Sequence, residues 1–162
     1  MRKVNKRALI KKIVAHLTDE LAVYHKAARA AHAEATHEQS KAENKYDTRG
    51  LEASYLARGQ SKQAAEIMQA MEQFEKMSVR EFGSEDPIDL GALVELETQR
   101  ERSFYFFGPR AGGTEITHQK KEVLVITPQS PLGQQLIGKK QGDKLQMQIG
   151  GSRNDYRVVS VS

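Results

Sequence analysis

The sequence predicts an α+β protein in which two long helices precede a small strand-rich domain with one short helix. Proline is absent before Pro87, and the helix-forming residues Ala, Glu, Lys, Gln and Leu dominate that part of the chain. Apolar residues recur there in alternating steps of four and three, whereas beyond Pro87 they alternate along short segments. Of the 162 residues 38% are hydrophobic, which is too few for one large core. We therefore predict two domains, residues 1–82 and 83–162.

The helical part contains two series of apolar or small residues with the spacing of a coiled-coil seam. The first series is Ile10, Val14, Leu17, Leu21, Tyr24, Ala28, Ala31 and Ala35, and the second is Ala53, Ala57, Gln60, Ala64, Ile67, Met71 and Phe74. Between Glu38 and Asp47 the seam loses its apolar residues. We predict an antiparallel coiled-coil hairpin over residues 5–78 that reverses between Glu38 and Asp47, with large seam residues at its base and alanines toward its tip.

In residues 83–162 the sequence predicts about five strands, bounded by glycine-rich turns. The predicted strands are residues 92–97, 103–107, 122–126, 144–149 and 156–161. We interpret Gly112-Gly113 and Gly150-Gly151 as hairpin turns.

One short helix is predicted between the third and fourth of these strands. Ser130 is its expected N-cap, Pro131 its first residue and Gly138 its C-terminal stop. Because so short a helix depends on packing, we expect its apolar residues to be buried: Leu132, Leu136 and Ile137.

Residues 127–143, which read TPQSPLGQQLIGKKQGD, resemble the C-terminal signature of bacterial Gre transcription elongation factors. That signature contains Ser-Pro, Leu or Ile, a small residue, a short apolar helix, Gly-Lys and then Gly-Asp. The matching signature residues here are Ser130, Pro131, Gly138, Lys139 and Asp143. The order of a helical hairpin followed by a β-rich domain also matches, so the resemblance implies an FK-binding-protein-like fold for residues 83–162.

The resemblance further implies an accessory transcription factor whose partner is RNA polymerase, rather than an enzyme. In Gre factors the hairpin enters the secondary channel of the polymerase, and two tip carboxylates help to hold its second catalytic Mg²⁺. The polymerase then cleaves a backtracked transcript. Mg²⁺ prefers oxygen ligands and often keeps several waters, so one or two added carboxylates complete such a site. No cofactor is expected on the isolated protein.

The family's tip has the pattern Asp-Leu, one variable residue, then Glu-Asn. Glu43 and Asn44 match that pattern, whereas Ser40 stands at the place of the aspartate. The resemblance therefore implies Glu43 as the shared Mg²⁺ ligand, with Asp47 and then Glu38 as further candidate acids. Acids on an exposed turn are also commonly solvated surface residues, and Asp47 could instead cap the second helix.

Two alternatives remain open at this point. One is a secondary-channel regulator of RNA polymerase that does not stimulate cleavage. The other is a protein-interaction module made of a coiled coil and an FK-binding-protein-like domain, or a prolyl isomerase. A prolyl isomerase is disfavoured because the chain has no Trp and its aromatic residues cluster in one predicted strand, at 104–107.

The net charge of +4 arises in the helical half, and six cations precede the first acid: Arg2, Lys3, Lys6, Arg7, Lys11 and Lys12. Such a balance is compatible with DNA or RNA binding, and a basic stripe of Arg49, Arg58 and Lys62 could contact nascent RNA. Solvated helix faces are the favoured interpretation, because no aromatic residues interleave the first cations.

The five histidines, at 16, 25, 32, 37 and 118, lack tight metal-ligand spacing, and we expect them on the surface. The chain has no cysteine and no apolar run long enough to cross a bilayer. We expect no signal peptide, because no apolar h-region or small-residue cleavage site follows the basic N-terminus. These features predict a cytoplasmic protein without a membrane partner, which we expect to be monomeric.

Overall fold

The computed structural model describes residues 4–36, 49–99, 101–149 and 152–162. Its helices are α1 (Lys6–Thr36), α2 (Arg49–Glu75) and α3 (Pro131–Leu136). Both long helices lie where the apolar periodicity predicts them, whereas the predicted reversal between Glu38 and Asp47 lies outside the described residues. None of the helices, over the residues described, combines the length and apolar character needed to span a membrane.

Six strands form one sheet in the C-terminal half. They are β1 (Leu93–Thr98), β2 (Glu101–Phe107), β3 (Glu115–His118), β4 (Lys121–Ile126), β5 (Lys144–Ile149) and β6 (Ser152–Val161). Their order across the sheet is β3-β4-β2-β1-β6-β5. The neighbours pair antiparallel, with the exception of β2 and β4, which pair parallel. The fold is therefore α+β, as predicted.

The sheet contains one strand more than the sequence predicts, the edge strand β3. It is four residues long and pairs with β4 so that Ile116 lies opposite Val123 and His118 opposite Lys121. Ile116 and His118 are buried, while Glu115 and Thr117 are exposed. One apolar residue in four is too weak an alternation to predict a strand from sequence, so its burial depends on the neighbouring strand.

The interpretation of Gly112-Gly113 as a hairpin turn is wrong. The hairpin joins β3 and β4, and its two loop residues are Gln119 and Lys120, with φ of 50° and 64°. Two consecutive residues with positive φ are typical of the type I′ turn, which matches the right-handed twist of paired strands. Gly112-Gly113 instead lies in the connection between β2 and β3, where the Gly113 amide donates to the Val125 carbonyl at 2.8 Å. The other predicted turn, at Gly150-Gly151, lies outside the described residues.

Alternate residues of the strands form a core with α3 on one side of the sheet. The cluster comprises Phe82, Ile88, Ala92, Val94, Leu96, Phe107, Ile126, Leu136, Leu145, Val158 and Val161. Residues of opposite parity in the central strands, Leu93, Phe106, Val123 and Val125, are also buried. The sheet is therefore covered on both sides at its centre.

By backbone contacts the chain divides into two compact units. The sheet unit comprises Met1–Val14 and Gln73–Ser162, and the helical unit comprises Ala15–Glu72. The first residues of α1 thus belong to the sheet unit, where Asn5 caps the helix: its Oδ1 accepts from the Ala8 amide at 3.1 Å. The division into domains 1–82 and 83–162, inferred from the change of sequence pattern, stays a prediction.

Candidate functional site

The predicted tip residues lie between the end of α1 and the start of α2, outside the described residues: Glu38, Ser40, Glu43, Asn44 and Asp47. Across the residues that the structure does describe, no three His, Asp or Glu side chains come together as a possible metal site. The assignment of Glu43 as a Mg²⁺ ligand therefore stays a prediction.

In the helical unit, the buried residues follow the predicted seams. Leu17 and Ile67 are buried, with 2% and 8% of their surfaces exposed, and Leu21 and Met71 are half-buried. Ala70, which the predicted seam omits, is buried as well. Of the proposed basic stripe, Lys62 is exposed, whereas Arg49 and Arg58 are placed only as positions in α2. The large buried seam residues of this unit therefore lie in the parts of the two helices that are farthest in sequence from residues 37–48.

The first half of the C-terminal signature forms the capped start of α3, as predicted. Ser130 is extended, and its Oγ accepts from the Gly133 amide at 3.0 Å and donates to the Thr127 carbonyl at 2.7 Å. Pro131 occupies the first turn, where a missing amide hydrogen costs the helix nothing. Ser-Pro in this signature therefore has a structural role, because it satisfies the exposed amides at the helix start.

The small residue of the signature, Gly133, is required by a close backbone approach. A Cβ at this position would lie 1.9 Å from the Thr127 carbonyl oxygen and 2.8 Å from the Ser130 Oγ. No side chain fits such a space without moving the backbone. The tight turn that caps α3 therefore excludes every residue other than glycine at position 133.

The second half of the signature ties the end of α3 to distant parts of the sheet unit. Gly138 has a φ of 81°, and its amide donates to the Ile88 carbonyl at 3.0 Å, while the Ile88 amide donates to the Lys139 carbonyl at 2.8 Å. The Asp143 Oδ2 accepts from the Lys140 amide at 2.8 Å. The Lys139 carbonyl and the Asp143 carboxylate therefore fix the loop that follows α3, and Gly138 ends the helix as predicted.

The expected burial of the α3 side chains is confirmed in part. Leu136 is fully buried and Leu132 is half-buried against the core, but Ile137 is 39% exposed. The prediction for Ile137 is wrong because the helix ends at Leu136 and Ile137 lies outside it as the C-cap residue. Leu90, which is 43% exposed, lies two residues beyond Ile88. Two exposed apolar side chains thus flank the backbone pairing between Ile88 and residues 138–139.

The basic start of α1 is not uniformly solvated, contrary to the prediction. Lys6 is buried with 6% of its surface exposed, and its Nζ donates to the carbonyls of Gly91, at 3.0 Å, and Arg80. The same ammonium lies 4.9 Å from the centre of the Phe82 ring. The Lys12 Nζ donates to the Thr117 carbonyl at 3.1 Å. These two cations therefore hold the start of α1 in the sheet unit.

His118 is buried, which corrects the expectation that all five histidines are on the surface. It is 5% exposed, and neither ring nitrogen has a hydrogen-bond partner within the described part of the chain. Burial, and to a smaller extent the neighbouring Lys12 ammonium, lower the pKa of His118 below its ordinary value of 6.5. The imidazole is therefore neutral at pH 7.

A group of charged side chains lies on the exposed parts of β1, β2 and β6. The Arg157 Nη2 donates to the Glu97 Oε2 at 2.6 Å, and the Arg102 Nη1 donates to the Glu95 Oε1 at 3.1 Å. The bond from Arg157 lowers the pKa of Glu97 below its ordinary value. Because Glu97 is solvated, this pairing contributes little to stability.

Comparison with known proteins connects the signature to a family. Residues 83–162 match the family model described as "Transcription elongation factor, GreA/GreB, C-term". The match contains β1–β6 and α3, and therefore the whole signature.

A similar curated protein is the "Transcription inhibitor protein Gfh1" of Thermus thermophilus, which is 28% identical over 120 residues covering 72% of each chain. The solved structure of Thermus aquaticus Gfh1 is 23% identical, with a TM-score of 0.41 and coverage of 91% of this chain and 92% of that one. A GreA/GreB factor from Nitrosomonas europaea is 18% identical, with a TM-score of 0.37 and coverage of 73% and 95%.

Proposed function

We propose that this chain, which belongs to the GreA/GreB family of transcription elongation factors, binds RNA polymerase and regulates it by placing a helical hairpin in the secondary channel. The observation that carries this proposal is the family match over residues 83–162, which includes the complete C-terminal signature. Proteins of this family are accessory factors rather than enzymes. Any transcript cleavage would therefore be catalysed by the polymerase.

The helices support the proposed hairpin. α1 has 31 residues and α2 has 27, which at about 1.5 Å per residue gives lengths of roughly 46 Å and 40 Å. The buried Leu17 and Ile67 place an apolar seam on each helix. Polar residues 37–48 between the helices would then form the tip, which is the part that would reach farthest into a channel.

The residues of the tip favour regulation without cleavage. Glu43 and Asn44 offer the oxygen ligands that Mg²⁺ accepts. Ser40, however, stands where the family has an aspartate, and a neutral hydroxyl does not supply the second negative charge. Glu43 would thus hold the shared Mg²⁺ with one carboxylate rather than two.

The name of the Thermus thermophilus relative points in the same direction, since that protein is a transcription inhibitor. A hairpin that occupies the channel without completing the metal site excludes other molecules and leaves a backtracked transcript uncut. We therefore favour an inhibitor of transcription over the other candidate, a stimulator of transcript cleavage.

Substitutions at Ser40 and Glu43 distinguish these two candidates. With a backtracked complex of core polymerase, we expect the wild-type protein to bind and to add no cleavage above that of polymerase alone. Ser40→Asp should raise cleavage, because a second carboxylate adds charge at the metal. Asparagine has nearly the shape of aspartate without its charge, so Ser40→Asn should not raise cleavage.

Other outcomes separate the remaining possibilities. If the wild-type protein stimulates cleavage and Glu43→Gln reduces it about tenfold or more, as expected for loss of a metal ligand, the chain is a cleavage stimulator. If Glu43→Gln leaves that cleavage unchanged, Glu38 or Asp47 carries the activity. Failure of the wild-type protein to bind core polymerase would refute the proposed function and favour an unrelated interaction module.

A further inference from the structure

An open groove lies in the sheet unit between the start of α1 and the end of α2. Its volume is about 560 Å³. Its apolar lining is formed by Ile10 and Val14 of α1, Phe74 of α2, and Met77 and Val79 just beyond α2. Val79 is 40% exposed, whereas Phe74 is fully buried and closes the bottom of the groove. We call this apolar lining the apolar floor of the groove. It is accessible to a partner without the core having to open.

Two cations stand on the α1 wall of this groove. Arg7 and Lys11 are exposed and one helical turn apart, and neither has an ion-pair partner within the described ranges. The neighbouring Lys6 and Lys12 are instead directed to main-chain carbonyls of the sheet unit. Glu75 is the acid that lines the groove. The charged residues that line the groove are thus two cations and one acid, a net charge of +1 (2 − 1).

We propose that this groove binds an acidic amphipathic segment of RNA polymerase. Apolar side chains of the segment would cover Val79 and Ile10, and its carboxylates would pair with Arg7 and Lys11. The identity of the partner rests on the proposed function, whereas the chemistry of the segment follows from an apolar floor beside unpaired cations.

An acidic protein segment fits the groove better than RNA does. Phosphates would use the two cations but leave the apolar floor uncovered. The one aromatic ring in the lining belongs to Phe74, which has no exposed surface on which a base could stack.

The test is the affinity of the full-length protein for core RNA polymerase, measured with a charge-reversed variant, Arg7→Glu/Lys11→Glu. A matched control, Lys144→Glu/Arg153→Glu, makes the same change of charge on exposed residues of β5 and β6 in the same unit. We expect the groove variant to weaken binding about tenfold or more, because like charges then face each other. The control should stay within about twofold of the wild type.

A second variant tests the apolar floor. Val79→Asn makes an exposed apolar residue polar, and we expect about threefold to tenfold weaker binding. Thermal unfolding midpoints confirm that the variants fold; Glu at position 7 in the first turn of α1 is compatible with the helix dipole.

The outcomes separate this inference from the proposed function. If wild-type protein binds the polymerase and the two groove variants bind equally well, the groove is not the docking site, although the proposed function stands. If the wild-type protein does not bind the polymerase, this inference and the proposed function both fail. If the charge-reversed variant loses affinity for a poly-uridine oligonucleotide but keeps its affinity for polymerase, the groove is a nucleic-acid site and the inference is wrong.

Discussion

The sheet unit and the helical unit are stabilised by contacts of different range. In the sheet unit, the signature residues bond to main-chain groups far away in sequence, as Gly138 does to Ile88. In the helical unit, the backbone hydrogen bonds are within each helix, and the buried residues, such as Leu17 and Ile67, recur at helical spacing. The same kind of substitution should therefore have opposite consequences in the two units.

The largest difference is expected for glycine in the signature. Gly133→Ala would place a Cβ 1.9 Å from the Thr127 carbonyl oxygen, so the cap of α3 would have to move. We expect the free energy of unfolding to fall by at least about 4 kcal/mol, at the upper end of single-residue effects. Denaturant unfolding measures this change. A variant as stable as the wild type would show that the first turn of α3 does not approach Thr127 closely in solution.

The next largest effect is expected within α3 itself. Leu136 is fully buried, and Leu136→Ala should cost about 2–5 kcal/mol through lost burial and a residual cavity. Ile137→Ala is the matched control, because its side chain is 39% exposed and should change stability by no more than about 1 kcal/mol. Equal losses at the two positions, measured by denaturant unfolding, would contradict the end of α3 at Leu136.

A smaller, pH-dependent effect is expected at the sheet edge. Because burial lowers the pKa of His118, the unfolded chain takes up a proton below about pH 6.5 while the folded chain remains neutral. Stability should therefore be complete above that pH and decline as the pH falls toward the folded-state pKa, by at most about 1.4 kcal/mol per pH unit.

The variant His118→Leu isolates this contribution, since leucine does not titrate. Lys12 of α1 disfavours the imidazolium of His118, and Lys121 of β4 lies opposite His118 in the strand register. The pH dependence of unfolding between pH 7 and pH 5 should be weaker in the variant. An identical pH profile would mean that His118 is solvated.

The smallest effect should have the opposite sign and concerns a glycine of the helical unit. A Cβ at Gly59 of α2 meets no atom within 4 Å. Gly59→Ala should therefore stabilise the protein by about 0.5–1 kcal/mol, because alanine loses less backbone freedom in a helix. A destabilised variant, by thermal or denaturant unfolding, would indicate a tertiary contact at Gly59 and weaken the contrast between the units.

Features that depend on neighbouring residues were predictable from the sequence. The two long helices follow from apolar periodicity, because a helix satisfies its own backbone and its side chains have a fixed repeat. The start and stop of α3 follow from Ser130, Pro131 and Gly138, whose effects extend over one turn. The family signature could be recognised for the same reason, since its residues are contiguous.

Features that depend on distant residues were not predictable in this way. Strand β3 is four residues long and mainly polar, and it is a strand because β4 provides its hydrogen bonds. His118 is buried for the same reason. No local pattern distinguishes such a segment from a surface loop.

The cations at the start of α1 show the same difference between local and distant effects within one helix. Composition and spacing alone establish that the start of the helix is basic, and Lys6, Arg7, Lys11 and Lys12 look equivalent in the sequence. In the folded chain Lys6 and Lys12 donate to carbonyls 85 and 105 residues away, whereas Arg7 and Lys11 line the groove. The physical reason is that an ammonium is held where carbonyl oxygens lie within its reach, and a buried one such as that of Lys6 requires them. The positions of those carbonyls are set by the folded sheet unit.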